Sequence, residues 1–206
     1  MTTVLLIRHC VTDVVNTIIA GRAPGVRLNA KGEAQASELA AGLARVSIAS
    51  VYSSPLERAI MTATPLAEQR GLEVIARPGL NEIDFGDWTG AGFEDLGRLP
   101  LWQRFNVNRT AVRIPGGETM LEAQARAVSA FESIRLENAG NATVAVVTHG
   151  DIARSVLCGY LGISLDLMLR IEISPGSVTT LVLDDLAARV IGMNSLGPFI
   201  SANREM

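Results

Sequence analysis

The chain of 206 residues is poor in the two residue types that most often carry redox and metal chemistry. It has two cysteines, Cys10 and Cys158, and two histidines, His9 and His149. Two thiols cannot build a disulfide framework in a chain this long, so the expected setting is reducing and cytoplasmic. Basic charge is not in excess either. A net charge of −3 argues against a dedicated nucleic-acid binder, although a few arginines can still hold a small anion locally. Long apolar runs are missing too: the N-terminal run Val4–Ile7 stops at Arg8, too short for a signal peptide or a membrane span. No repeat or low-complexity segment interrupts the chain. With 48% hydrophobic and 19% charged residues, the composition is that of a folded domain. We expect one domain over 1–194, with a substrate-cap segment at 86–117 and a loosely held tail at 195–206.

Apolar patterning places the elements. Val4–Ile7 and Thr143–Val147 are continuous apolar runs, as expected of strands buried on both faces. Ala49–Tyr52, Leu72–Ala76, Leu167–Ile173, Val178–Leu183 and Arg189–Met193 are further strand candidates. Asn29 is placed to cap a helix whose face holds Ala36, Leu39, Leu43 and Val46. Ser54, Pro55 and Glu57 read as N-cap, first helical position and capping box of a second helix, which Pro65 should kink or end before Gly71. A short helix near Leu99–Asn106 and a long one from Glu118 to Glu137, with Leu121, Ala125, Val128 and Phe131 inward, precede a last helix from Asp151 to Tyr160. Alternating strands and helices predict a three-layer α/β/α fold with a mostly parallel, mixed sheet of about six strands.

Both histidines then fall just past the carboxyl ends of buried strands, where open α/β sheets bind ligands. Arg8-His9 follows the first strand, joining a nucleophilic imidazole to a guanidinium suited to bidentate phosphate contact. Thr148-His149-Gly150 repeats the arrangement, with a glycine that admits close backbone approach and a helix N-terminus behind it. Arg58 lies in a first helical turn, where the helix dipole prefers anions, so the helix end and Arg58 are read as sharing one anion. The turn-rich segment Asn81–Gly90 supplies Glu82, Asp84 and Asp87, any of which has the chemistry of a general acid.

Five segments in this order resemble the histidine phosphatase superfamily, which includes cofactor-dependent phosphoglycerate mutases and ribazole phosphatases. They are Arg8-His9-Cys10-Val11-Thr12 with Asn16, Ser54–Ala59, Glu82–Gly90, Pro115–Thr119 and Val147–Gly150. The resemblance implies a phosphoglycerate mutase-like fold and a metal-independent phosphohistidine mechanism without cofactor. His9 would be the nucleophile, and Arg8, Arg58 and His149 would clamp the phosphoryl oxygens with help from Asn16 and Gly150. Glu82 would be the proton donor, and Gly21 with Arg22 would belong to a loop closing over the phosphate.

Cys10 and Val11 stand where the family usually has glycine and often glutamate. From this we expect a tilted His9 or a narrowed pocket, and a thiol beside the phosphate that nearby cations make oxidisable. Cys158 is read as a packed core residue. Glu82-Ile-Asp-Phe-Gly-Asp-Trp resembles the phosphatase branch more than the mutases, so hydrolysis of a small phosphorylated metabolite is expected. A mutase-type phosphotransferase, a silent regulatory member of the fold and a phosphoprotein phosphatase are the alternatives. Specificity is assigned to the 86–115 segment, whose arginines Arg98, Arg104, Arg109 and Arg113 are candidates for a second anionic group. A small phosphate ester is the expected partner, with no nucleic acid or membrane; a homodimer is left open.

Overall fold

Six strands form one sheet in the order β3-β2-β4-β1-β5-β6 in the computed structural model, which describes residues 1–197 and 199. The strands are β1 (Thr2–Arg8), β2 (Ser50–Ser53), β3 (Val74–Ala76), β4 (Thr143–Thr148), β5 (Val178–Leu183) and β6 (Ala188–Ser195). Strands β1 to β4 run parallel, β5 is antiparallel to β1, and β6 is antiparallel to β5.

The helices are α1 (Ala30–Gly42), α2 (Glu57–Glu68), α3 (Phe93–Gly97), α4 (Pro100–Val107), α5 (Met120–Glu137) and α6 (Gly150–Leu161). The two-residue period of β1 divides the core between them. Leu5 and Ile7 face one side and join Leu39, Leu43, Ala59 and Leu66 of α1 and α2. Val4 and Leu6 face the other and join Ala127, Phe131, Ile152 and Val156 of α5 and α6. This is the expected three-layer arrangement.

Several local expectations are corrected. Ser54 does not cap α2, which starts after Leu56 without a side-chain cap, and the Glu57 carboxylate instead accepts from Gly25 N. Helix α2 runs through Pro65 to Glu68, giving up one bond to the Met61 carbonyl, and ends within a turn of the proline. On α5 the inward stripe is Met120, Ala123, Ala127, Phe131 and Ile134, while Leu121 and Ala125 are exposed and Val128 is half-buried. The Thr119–Glu122 capping box sets where that helix begins, and its small inward residues let it lie close to the sheet. Leu167–Ile173 is not a strand. Residues Leu165–Arg170 wind into a 3₁₀ helix that buries Leu165 and Met168 and leaves Leu167 and Leu169 outside, a period of three. Ser195 closes β6 instead of opening a tail, and residues 198 and 200–206 of that segment lie outside the described residues. Among the described residues no helix is long and apolar enough to cross a membrane.

One glycine ties α1 to the loop after β1. A Cβ on Gly32 would collide with the Val11 carbonyl, the same carbonyl that accepts from Asn29 N. Gly32→Ala is therefore expected to destabilise the fold by about 1–3 kcal/mol, measured by urea unfolding.

Candidate active site

Strand register brings the two histidines together. In the parallel β1–β4 pair Arg8 sits opposite Thr148, so the next residues, His9 and His149, leave the sheet side by side. Their ring centroids are 5.1 Å apart at 63°. Ser53 of β2 pairs with Val147, which places Ser54 beside His149 in the same way.

The His9 tautomer follows from its contacts. Nδ1 lies 2.8 Å from the Cys10 carbonyl, which can only accept, so the proton is on Nδ1. Nε2 is left as a lone pair and accepts from Arg58 Nε at 3.3 Å. Burial, followed by the Arg58 charge, holds the imidazole pKa down at about 3, so the ring is neutral and nucleophilic at pH 7. His149 is also held well below the usual histidine range by burial and Arg58. Its Nε2 lies 2.8 Å from Ser54 Oγ and accepts the hydroxyl proton in the tautomer that keeps an N–H on Nδ1, the form able to serve an anion; Asn81 Oδ1 lies 3.1 Å from the same hydroxyl.

Around this pair the positive charge is only partly satisfied. Arg58 is buried and gives Nη2 to the Gly21 carbonyl at 2.8 Å, and Arg8 gives Nη1 to the Ile173 carbonyl at 2.6 Å. Arg8 Nε, Arg58 Nη1 and His149 Nδ1 are buried without any partner. Unpaired buried polar atoms are costly, and three of them on His9's immediate neighbours are suited to an anion. Gly150 opens α6 here, and a Cβ on it would come within 3.1 Å of Arg8 Nε, so glycine leaves the guanidinium its room.

Glu82 completes the group. Its half-buried carboxyl has a pKa raised to about 7, by burial first and by Asp151 second, against the pull of Arg58. The Glu82 loop is held from behind: Arg126 donates to the Gly79, Asn81 and Glu82 carbonyls and pairs with Glu118 at 2.6 Å.

A cleft of about 640 Å³ opens over these residues, lined at its base by Arg8, His9, Arg58, Glu82 and Gly150 and at one side by Asn16 and Gly21. Asn16 takes a left-handed φ of 64°, a conformation asparagine tolerates better than most residues. Arg22 does not line the cleft. Its Nε donates to the Glu82 carbonyl and its Nη2 to Glu118, because the paired acids behind the loop outcompete an open pocket. Cys10 is likewise turned away: its side chain packs with Leu28 and Ala36, and burial pushes the thiol up to about 11. The expected reactive thiolate is thereby overturned, and the extra side chain goes into the core instead of narrowing the pocket. Cys158 is packed in the core, as expected.

Sequence reasoning missed Ser54 as the partner of His149 with Asn81 behind it, Asp151 beside Glu82, and the Arg126–Glu118 brace. Only Asp151 carried a legible signal, directly after His149-Gly150. Ser54→Ala should lower kcat by about tenfold to a hundredfold, since the His149 ring loses the contact that orients it. A thermal melt close to that of the parent would separate this from unfolding. Among the described residues no group of three or more His, Cys, Asp or Glu side chains converges with metal-binding spacing.

Residues 4–195 match the family model of the histidine phosphatase superfamily, branch 1. Phosphoserine phosphatase 1 of Hydrogenobacter thermophilus is 34% identical over 170 residues, covering 80% of this chain and 79% of that protein. The crystal structure of the α-ribazole phosphatase from Shigella flexneri superposes with a TM-score of 0.85 at 26% identity, covering 97% of this chain and 99% of the other. YhfR of Bacillus stearothermophilus gives 0.87 at 27% identity, covering 93% and 96%. By sequence and by its phosphoglycerate mutase-like fold, the chain belongs to the histidine phosphatase superfamily, branch 1.

Proposed function

We propose that this protein is a phosphomonoesterase that works through a phosphohistidine on His9. The observation that carries the reading is the unprotonated His9 Nε2, approached by Arg58 Nε, together with three partnerless buried atoms on neighbouring residues, Arg8 Nε, Arg58 Nη1 and His149 Nδ1. Phosphoryl transfer needs positioning and charge stabilisation more than covalent help from the protein, and this arrangement offers both.

In the first step Nε2 attacks phosphorus. The P–O bond to the alcohol breaks, and Glu82, protonated at and below its pKa of about 7, gives the leaving oxygen its proton. Arg8, Arg58 and His149 hold the three remaining phosphoryl oxygens, with Asn16, Gly21 and Gly150 completing the wall. The Glu82 carboxylate then takes a proton from water, whose oxygen attacks phosphorus. The P–N bond breaks, phosphate leaves, and His9 regains its lone pair. Hydrolysis is favoured over mutase transfer because relatives in sequence and in structure are named phosphatases, of phosphoserine in one case and α-ribazole phosphate in the other.

The test is release of phosphate from a simple alkyl phosphate in the presence of a chelator, with and without vanadate. Chelator-insensitive turnover that vanadate blocks supports the reading. Transfer of the phosphoryl group to added alcohol with no release to water would make the protein a mutase.

A further inference from the structure

The cleft extends well past the phosphate centre, and the charges in that outer part are already matched. Its two arginines are Arg109 and Arg154, and both bind the same carboxylate: Arg109 Nη1 lies 3.1 Å from Asp151 Oδ2 and Arg154 Nη1 lies 2.9 Å from Asp151 Oδ1. Arg109 also gives Nη2 to Asn106 Oδ1 and stacks over Phe105 at 4.5 Å. Arg154 gives Nε to the Ile171 carbonyl and turns Nη2 toward Glu172 at 3.9 Å. Two of their nitrogens are left without a hydrogen bond, the buried Arg109 Nε and Arg154 Nη2, one on each guanidinium, so neither arginine offers two free donors on one edge to clamp a carboxylate.

The other arginines of the cap segment are not in the cleft. Arg98 pairs with Glu94 and Arg113 with Glu122 on the surface, and Arg104 does not line the pocket. An anionic leaving group would thus meet only guanidinium groups already engaged by Asp151, and it would face the exposed Glu172 carboxylate. Apolar side chains make up most of the remaining wall: Val15, Ile18, Phe93, Trp102, Leu169 and Pro175. Trp102 is fixed there by edge contacts with Trp88 at 5.2 Å and by Phe105 at 5.9 Å.

We infer that the substrate is the phosphate monoester of an uncharged alcohol with an apolar or aromatic body, held against Trp102 and Leu169, and not an ester carrying a second acidic group. The inference rests on the phosphatase reading and adds the substrate class to it. Asp151 sets the selectivity by engaging both outer arginines at once, with Glu172 supplying the second negative charge beside Arg154, and Leu169 forms the rim on which the apolar body rests.

The experiment compares kcat/KM for benzyl phosphate, O-phosphoserine and 3-phosphoglycerate, three esters of alcohols that leave with similar ease, with ethyl phosphate as the minimal ester. Benzyl phosphate should exceed both acidic esters by about tenfold or more. Leu169→Arg, which places a new cation on an exposed rim, should lower the ratio of benzyl phosphate to 3-phosphoglycerate by about tenfold. Asp151→Asn should shift that ratio in the same direction by releasing Arg109 and Arg154. Equal or better use of the acidic esters by the parent protein overturns the substrate class while leaving the phosphatase reading intact, as does an unchanged ratio in Leu169→Arg. Absence of hydrolysis for all four esters overturns the phosphatase reading itself and the inference with it.

Discussion

Replacing His9 with alanine should lower kcat for every phosphate ester by more than about 10⁴-fold, the scale seen when a covalent nucleophile is removed. Nothing else near the cleft can take its place. His149 Nε2 is committed to Ser54, and the Cys10 thiol is buried, protonated and outside the cleft. The Nδ1 contact to the Cys10 carbonyl is also lost, but that carbonyl belongs to a loop held independently by Thr62 and Gln35, so the fold should survive. Rapid quenching of the parent protein with labelled substrate should trap an acid-labile phosphoenzyme, and the alanine variant should show none. Stability supplies a second readout. The folded His9 pKa of about 3 lies below the ordinary 6.5, so its burial as a neutral ring contributes stability that is present above pH 6.5 and lost as pH falls toward 3. His9→Ala should therefore lose less stability than the parent between pH 7 and pH 4 in urea titrations. Full activity in the alanine variant would defeat the mechanism.

How much of this was legible in the sequence depends on whether a residue acts through its own segment or through a neighbour brought by the fold. Arg8-His9 and Thr148-His149 were legible because each follows a continuous apolar run, and the end of a buried strand in an α/β sheet is a ligand-binding position. The pairing of β1 with β4, which makes them neighbours, joins residues about 140 apart and leaves no local trace. Ser54 shows the opposite failure. Ser-Pro-Leu-Glu has every local mark of a helix start, while the partner of its hydroxyl is His149, 95 residues away. On α5 the largest aliphatic, Leu121, drew the inward face toward itself, although close packing on the sheet favours Ala123 and Ala127. The family resemblance points Arg22 at the phosphate, and two acidic residues from distant segments hold it elsewhere.

Glu82→Gln is expected to cut kcat/KM for benzyl or ethyl phosphate by about 10²–10⁴, and far less for p-nitrophenyl phosphate, whose phenolate leaves without a proton. The difference between the two esters isolates proton donation from binding, since both share the phosphate clamp of Arg8 and Arg58. The pH profile carries the sign. For the parent protein kcat/KM reports the steps up to phosphoryl transfer, so it needs Glu82 protonated and His9 neutral. It should fall as pH rises through about 7, where Glu82 ionises, and His9 should limit it only near pH 3. The glutamine variant should lose the fall near pH 7 on alkyl esters, because no titrating acid remains. Asp151 enters here as well: its negative charge is the second cause that raises the Glu82 pKa, and Asp151→Asn should move the alkaline limb to lower pH. A limb near 7 that persists unchanged in Glu82→Gln would assign the proton to another group and remove Glu82 from the reaction.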